Sequence, residues 1–229
     1  MNQNQQPLIS EQIYKIQTDR KLIAFYDRLK GAPLTNYAQL HAKGEAMENE
    51  YKVRSLIGVT IQDYTNGTGS SNVIVQFNLA PEQIQFFLSR IASSFQEFEW
   101  HQSKIFGNPD PQGYSIVQQF SISRHATDPQ GQVMNNPWRV QIVNGKGIKA
   151  HNQNGGSYMK SGSFVSEKSA FIQLNDMDLY TLLKRTDSYI TAWESFIAPS
   201  LISNGKKAYA EQQAQRNQQQ QFTQYASLA

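Results

Sequence analysis

The sequence predicts an α+β fold: a largely antiparallel β-sheet system with two packed amphipathic helices, preceded by an N-terminal helical segment. Three observations carry this. From Tyr51 onward apolar residues alternate with polar ones at the period of a half-buried strand. Two stretches, opened by Pro81 and by Asn175/Asp176, change to the 3.6-residue period of a helix. Clusters of Asn, Gly and Pro punctuate the strands. The chain of 229 residues is 39% hydrophobic, enough to bury a core. Its mean hydropathy of -0.57 reflects polar ends. Three parts are expected: residues 1–50 as a helical arm, 51–200 as the α+β core, and 201–229 as a Gln-rich tail, flexible or helical.

At the N-terminus, Ser10 and Glu11 precede Ile13, Ile16, Leu22, Ile23, Tyr26 and Leu29, which reads as an N-capped amphipathic helix ending at Gly31. A second short helix is expected around Tyr37–Glu48, capped by Thr35 or Asn36. Tyr51, Val53, Ile57, Val59 and Ile61 then alternate with Lys52, Arg54, Thr60 and Gln62 as one strand. A turn at Asn66-Gly67-Thr68-Gly69 returns it through Val73, Val75, Phe77 and Leu79. Pro81 suits a first helical position, and the helix stripe is Ile84, Phe87, Leu88, Ile91 and Phe95.

Phe98 and Trp100 share one strand face; Tyr114, Ile116, Phe120 and Ile122 share another. The breaker Gly107-Asn108-Pro109-Asp110-Pro111-Gln112-Gly113 lies between them. Beyond a second loop, Val140 and Ile142 point inward. Asn144-Gly145 and Asn154-Gly155-Gly156 signal hairpin turns, with strands at Tyr158–Val165 and Ala170–Leu174. The last helix carries Leu179, Leu182, Leu183, Thr186, Ile190, Trp193 and Ile197, and Pro199 is expected to stop it. The glutamines between Glu211 and Gln224 cannot bury enough apolar surface to fold alone.

A faint repeat links two places. Val75-Gln76-Phe77-Asn78 leads to Ile84, Phe87, Leu88 and Arg90, as Ile172-Gln173-Leu174-Asn175 leads to Leu179, Leu182, Leu183 and Arg185. It reads either as what any buried strand feeding a capped helix looks like, or as duplicated sheet-plus-helix halves.

Composition removes several function classes. Cysteine is absent, which excludes disulfides, thiolate metal sites and cysteine nucleophiles. The four histidines are scattered; the only close pair, His125 and Asp128, runs into a turn. No zinc-protease, nucleophile-elbow or P-loop pattern occurs, since Gly145-Lys146-Gly147 lacks the remaining phosphate-loop residues. Acidic residues are dispersed. No enzyme, metal or cofactor is therefore expected. No stretch reaches the ~18 apolar residues of a membrane span, and the first residues lack the basic-then-apolar order of a signal peptide, so a cytoplasmic address is expected.

The net charge of +3 is mild, but its distribution is uneven. From Trp138 to Asn175 stand Arg139, Lys146, Lys149, Lys160 and Lys168 against Glu167 alone, whereas Ser10–Glu50 balances. A concentrated cationic segment suits an anionic partner. Single-stranded nucleic acid is bound by cations beside aromatic faces on which bases stack. Here Tyr158 and Phe164 lie among Ser157, Lys160, Ser161, Gly162 and Ser163, poor core material. The candidate nucleic-acid site is Arg139, Lys146, Lys149, Tyr158, Lys160 and Phe164, with Lys52, Arg54 and Trp100 as extensions. The competing reading makes Tyr158 and Phe164 inward residues and the lysines a solvated edge that deters aggregation.

Strands followed by the long helix, Trp138 to Ile197, resemble the β4α unit of the Whirly and PC4 families, and Asn144-Gly145-Lys146-Gly147-Ile148-Lys149-Ala150 is similar to the Lys-Gly-Lys-Ala stretch of Whirly proteins. The resemblance covers the last third of the chain. The upstream order, read as two strands, helix and two strands, departs from a clean β4α duplication. The resemblance implies binding of single-stranded DNA across a sheet. The expected function is non-enzymatic, largely sequence-independent binding of single-stranded DNA or RNA by a homo-oligomer. The alternative is an assembly protein of phage or mobile-element type that acts by self-association.

Overall fold

The computed structural model describes residues 11–33 and 40–226. Strands β1 (Gln12–Gln17), β2 (Lys21–Arg28), β3 (Lys43–Glu48), β4 (Tyr51–Arg54), β5 (Leu56–Asp63) and β6 (Val73–Leu79) lead to helix α1 (Pro81–Ala92). Strands β7 (Glu97–Phe106), β8 (Tyr114–His125), β9 (Trp138–His151), β10 (Ser157–Met159) and β11 (Val165–Leu174) lead to helix α2 (Asp176–Ala226). The fold is α+β with antiparallel sheets, as the periodicity predicts. One sheet has the order β1-β2-β5-β6; in the other β10 and β11 both pair with β9 beyond β8 and β7. Each therefore contains a four-stranded meander that runs within two residues into a helix. The first meander carries the β3–β4 hairpin as an insertion, and the second carries β10.

The expected N-terminal helix is instead the β1–β2 hairpin. Its turn is made by Thr18, whose N–H donates to the Lys21 carbonyl at 2.8 Å while its hydroxyl accepts the Lys21 N–H at 3.0 Å. Ile23, Ala24 and Phe25 are all buried because β2 lies inside its sheet with both faces covered. A continuous apolar run of that kind hides the period of two, and the helical period fits it by accident. Lys21 pairs with Asp63 at 3.0 Å at one end of β2, and Arg28 packs on Gly58 at the other, so β5 runs antiparallel to β2. With two strands restored at the front, the first half has the same β4α order as the second.

Three further expectations are revised. The strand expected to run from Tyr51 to Gln62 breaks at Ser55, and its halves join different sheets. The hairpin turn expected at Asn144-Gly145 does not exist, because β9 runs straight through it. The Asn144 side chain is used elsewhere: its Oδ1 accepts the Gln76 N–H and its Nδ2 donates to the Gln76 carbonyl, both at 2.9 Å. One amide thus pairs with β6 as a neighbouring strand would. Phe95 lies beyond the end of α1 and is exposed.

Helix α1 lays Phe87 against the second sheet, with ring centroids 5.0 Å from Trp100 and 6.1 Å from Phe120, and Phe120 reaches Phe77 at 5.4 Å. Helix α2 begins where expected, with Asn175 Oδ1 accepting the Asp178 N–H at 2.7 Å. Leu179, Leu182, Leu183, Thr186 and Ile190 are buried. It continues past Pro199 through the Gln-rich segment, to 51 residues in all. A proline in mid-helix removes a single backbone hydrogen bond, and the helix carries on beyond it.

The chain divides into two compact units. The first holds the described residues up to Arg28 together with Ile57–Asp187. The second holds those of Leu29–Leu56 and the chain from Ser188. In the second, β3 and β4 are joined through Asn49 and Glu50, both at positive φ, the backbone of a tight hairpin turn. His41 ties that segment to the helix: Nδ1 lies 2.7 Å from Ser55 Oγ, Nε2 lies 2.9 Å from Glu194, and the ring stacks on Trp193 at 5.1 Å. The short helix expected over Tyr37–Glu48 is a strand from Lys43, and its caps, Thr35 and Asn36, lie outside the described residues.

Candidate nucleic-acid interface

Strands β8 and β9 change their buried face partway along. At the end nearest α2, Phe120, Ile122, Trp138, Val140 and Ile142 are buried; at the other end Ser115, Val117, Gly145 and Gly147 are. Positions 117 and 120, like 142 and 145, have opposite parity and point to opposite sides of the sheet. The register is continuous across the change, so no bulge causes it. The sheet curls instead, bringing β10 round to lie against β7.

Glycine makes the curl possible. A Cβ on Gly145 would stand 2.1 Å from the Val165 carbonyl oxygen and 3.1 Å from the Phe164 ring, and one on Gly147 would stand 2.9 Å from Met159 Sδ. The chain after β10 crosses the inner side of β9 at a distance no side chain permits. The Gly145-x-Gly147 spacing has a steric reason here, not a phosphate-binding one.

The face that is core at one end becomes the outside of the curl at the other. Phe106 pairs with Ile116, Ile116 with Lys146, and Lys146 with Val165; Tyr114 pairs with Ile148; Tyr158 pairs with Ala150. Paired residues and residues two apart share a face, so all these side chains project outward together. Ile116 is 53% exposed, Tyr158 51% and Phe106 42%, and Val165 and Ile148 are exposed beside them. The Lys146 ammonium stands 5.1 Å from the Tyr114 ring centroid. Among the described residues no carboxylate pairs with it. Asp110, in the neighbouring loop, has one carboxylate oxygen occupied by the N–H groups of Gln112 and Tyr114 at 2.9 and 2.8 Å.

Of the six residues expected from sequence, Lys146 and Tyr158 lie on this outer face. Lys160 is exposed two residues beyond Tyr158, its N–H on the Ile148 carbonyl at 2.9 Å. Lys149 pairs with Met159 and sends its ammonium to the Gly107 carbonyl. Phe164 is half-buried over Gly145 on the inner side. Arg139 lies at the far end of β9 on the opposite face, with its guanidinium 3.7 Å from the Phe171 ring centroid. Trp100 belongs to the aromatic core, and Lys52 and Arg54 to the other unit. The residues that sequence reasoning missed are Phe106, Tyr114, Ile116, Ile148 and Val165. Their signal was the parity clash between Val117 and Phe120 and between Ile142 and the two glycines of β9.

Among the described residues no group of three His, Asp or Glu side chains is placed to hold a metal ion. His125 turns to Glu97 at 2.6 Å, and Asp128 caps its own loop through the N–H groups of Gln130 and Gln132. A shallow cleft of about 430 Å³ lies between Val133, Met134 and Met177 over Arg124 and Asp176. Asp176 accepts the Trp138 indole N–H at 2.7 Å and pairs with Arg124 at 3.3 Å. Partial burial works against its charge, but these hydrogen bonds and the guanidinium outweigh it and hold its pKa below the usual carboxylate value.

No protein family matches the chain, and no curated protein does. Among solved structures, that of the plant transcriptional regulator PBF-2 aligns with a TM-score of 0.45 and 9% identity, covering 84% of this chain and 96% of that one. No helix among the described residues is long and apolar enough to cross a membrane.

Proposed function

We propose that the chain is a non-enzymatic protein that binds single-stranded DNA or RNA, largely without regard to sequence, on the outer face of the curled sheet end. The observation behind this reading is the co-facial set Phe106, Ile116, Ile148, Tyr158 and Val165, open to solvent beside the half-buried Tyr114 and around a Lys146 that no carboxylate among the described residues neutralises. Leaving such apolar area in water forgoes about 25 cal/mol per Å², and a ligand with flat apolar faces recovers it. Unpaired bases offer those faces, and stacking on aromatic side chains contributes roughly 1–3 kcal/mol per base. A duplex hides the same faces. Lys146 and Lys160 meet the phosphates, so affinity falls as salt rises. The resemblance of Trp138–Ile197 to Whirly and PC4 proteins points to the same class of ligand. We take the protein to act in the cytoplasm.

A labelled oligothymidylate titrated with the protein and followed by fluorescence anisotropy tests this, against a duplex of the same length and at two salt concentrations. Single-strand preference and steep salt dependence are expected, with affinity about tenfold lower for Tyr158→Ala. No binding at low salt, or equal binding of duplex, would overturn it. Self-association, alone or alongside binding, is favoured by Phe196, 86% exposed on α2. It predicts a concentration-dependent oligomer in light scattering that Phe196→Ser dissolves; a monomer at every concentration would dismiss it.

A further inference from the structure

On the side of the sheet opposite the outer face of the curl lies a second arrangement, at the other end of β9. Phe171 carries two cations on one ring: Lys21 Nζ and the Arg139 guanidinium carbon are each 3.7 Å from its centroid. Lys21 is neutralised, since its ammonium pairs with Asp63 at 3.0 Å and donates to the Phe171 carbonyl at 2.9 Å. Arg139 is not. Among the described residues its only side-chain hydrogen bond runs from Nη2 to Gln141 Oε1 at 3.4 Å, and no carboxylate pairs with it. One weak bond leaves most of the five guanidinium N–H donors unused.

The surroundings are neutral donors. Arg139 pairs across the ladder with Ser123, Gln141 with Ser121, and Val143 with Gln119 on one side and Ser169 on the other. Ser169 is exposed and the others are half-buried, so solvent reaches this face. The nearest acid in the Arg139 row is Glu99, which pairs with Ser123 and so lies two strands away, roughly 10 Å. The aromatic ring holds the guanidinium in place beforehand, and cation–π contact leaves its edge donors free. The two cations can be no more than twice their common distance from the ring apart. An anion with several oxygens can engage Arg139 in two bonds, and the fork geometry of a guanidinium fits phosphate; Lys21, its charge offset by Asp63 at 3.0 Å, braces the far side of the ring.

We propose that Arg139, with Phe171 and Lys21 behind it and the Ser121 and Ser123 hydroxyls beside it, forms a binding site for a phosphate group, separate from the curled end. The group can come from a polynucleotide backbone or from a free phosphate. Two-dimensional amide NMR of the full chain at fixed ionic strength separates the sources, with inorganic phosphate, thymidine 5′-monophosphate and a ten-nucleotide oligothymidylate as probes and chloride as the control.

Saturable shifts at Arg139, Gln141, Phe171 and Ser121 are expected with at least one phosphate probe and not with chloride. Arg139→Gln should weaken them at least tenfold with the rest of the spectrum intact; Arg139→Lys, which keeps the charge and loses the fork, should fall between. Shifts with the oligonucleotide alone assign the backbone as the source, and shifts with inorganic phosphate assign the free ion. No saturable shift with any probe, or shifts that survive Arg139→Gln, would overturn the site. Oligonucleotide shifts confined to Tyr114, Ile116 and Tyr158 would overturn it while upholding the nucleic-acid reading. Phosphate binding here with no oligonucleotide binding would do the reverse.

Discussion

The two ends of the β8–β9 pair solve the same packing problem in opposite ways. At the base, the even-numbered side chains Phe120, Ile122, Val140 and Ile142 meet α1 and the first sheet, and the aromatic rings of Phe77, Phe87 and Trp100 close over them. At the tip the same face continues as Tyr114, Ile116, Lys146 and Ile148, of which Ile116 and Ile148 are exposed, while the odd face closes around Gly145 and Gly147. Stability at the base comes from buried volume. At the tip it comes from the absence of volume, because the backbone of β11 occupies the place of a side chain. A strand pair can thus expose an apolar face where its pairing register is unbroken.

Substitutions at the two ends should separate these mechanisms. The largest effect is expected for Trp138→Ala, which empties a buried indole site and strips Asp176 of its 2.7 Å donor; about 4 kcal/mol should be lost in urea denaturation. Gly145→Val should come next, at about 3 kcal/mol, because the nearest atom is a backbone oxygen that cannot rotate away. Hydrogen exchange should then speed up in the first residues of β11 and leave the Phe120–Ile142 core protected; a uniform increase would mean the tip is not a separate packing unit.

Asn144→Ala, at the junction, removes both bonds to Gln76. It should cost about 1–2 kcal/mol and raise aggregation on a sedimentation assay, since β6 regains an open edge. Part of the acid limb of stability belongs to the base. The Asp176 pKa is depressed below 3.8, so its contribution is complete above that value and is lost as pH falls through the lower, folded-state value. Asp176→Asn should flatten this limb in denaturation curves recorded between neutral and acid pH. The smallest effect is expected for Ile116→Ser on the outer face: within about 0.5 kcal/mol, in contrast to a loss of about 3 kcal/mol for Ile142→Ala two rows away.

Much of this was legible in the sequence, and the gaps have physical causes. The strand β6, the Ala170–Leu174 half of β11, the helices after them and the alternation in β8 follow from periodicity, and Tyr114, Ile116, Phe120 and Ile122 do share a face, whereas the strand expected over Tyr158–Val165 is only β10 and a turn. Periodicity reports which residues point together and not whether anything packs on them, so the exposure of Ile116 shows only in the change of parity from Phe120 to Val117 and from Ile142 to Gly145. β2 was unreadable because Leu22-Ile23-Ala24-Phe25 is apolar on both sides. Asn144-Gly145 carries a turn signal that tertiary contacts override: the glycine is needed for close approach and the asparagine for pairing with Gln76. Lys146 and Tyr158 could be picked from charge and composition, whereas Arg139 and Phe164 fall on other surfaces because a continuous β9 spreads them apart.

The meander order of the strands bears on how the chain reaches this state. In both halves each strand lies beside its neighbour in sequence, insertions aside, so most pairing closes short loops and costs little chain entropy at each step. Two pairings must wait, β5 with β2 across the β3–β4 hairpin and β11 with β9 across the β10 excursion, and the second is the step that sets Val165 over Gly145 and launches α2. Assembly of the second half should therefore finish at the tip, with the long helix propagating only once its first turn has a sheet to rest on.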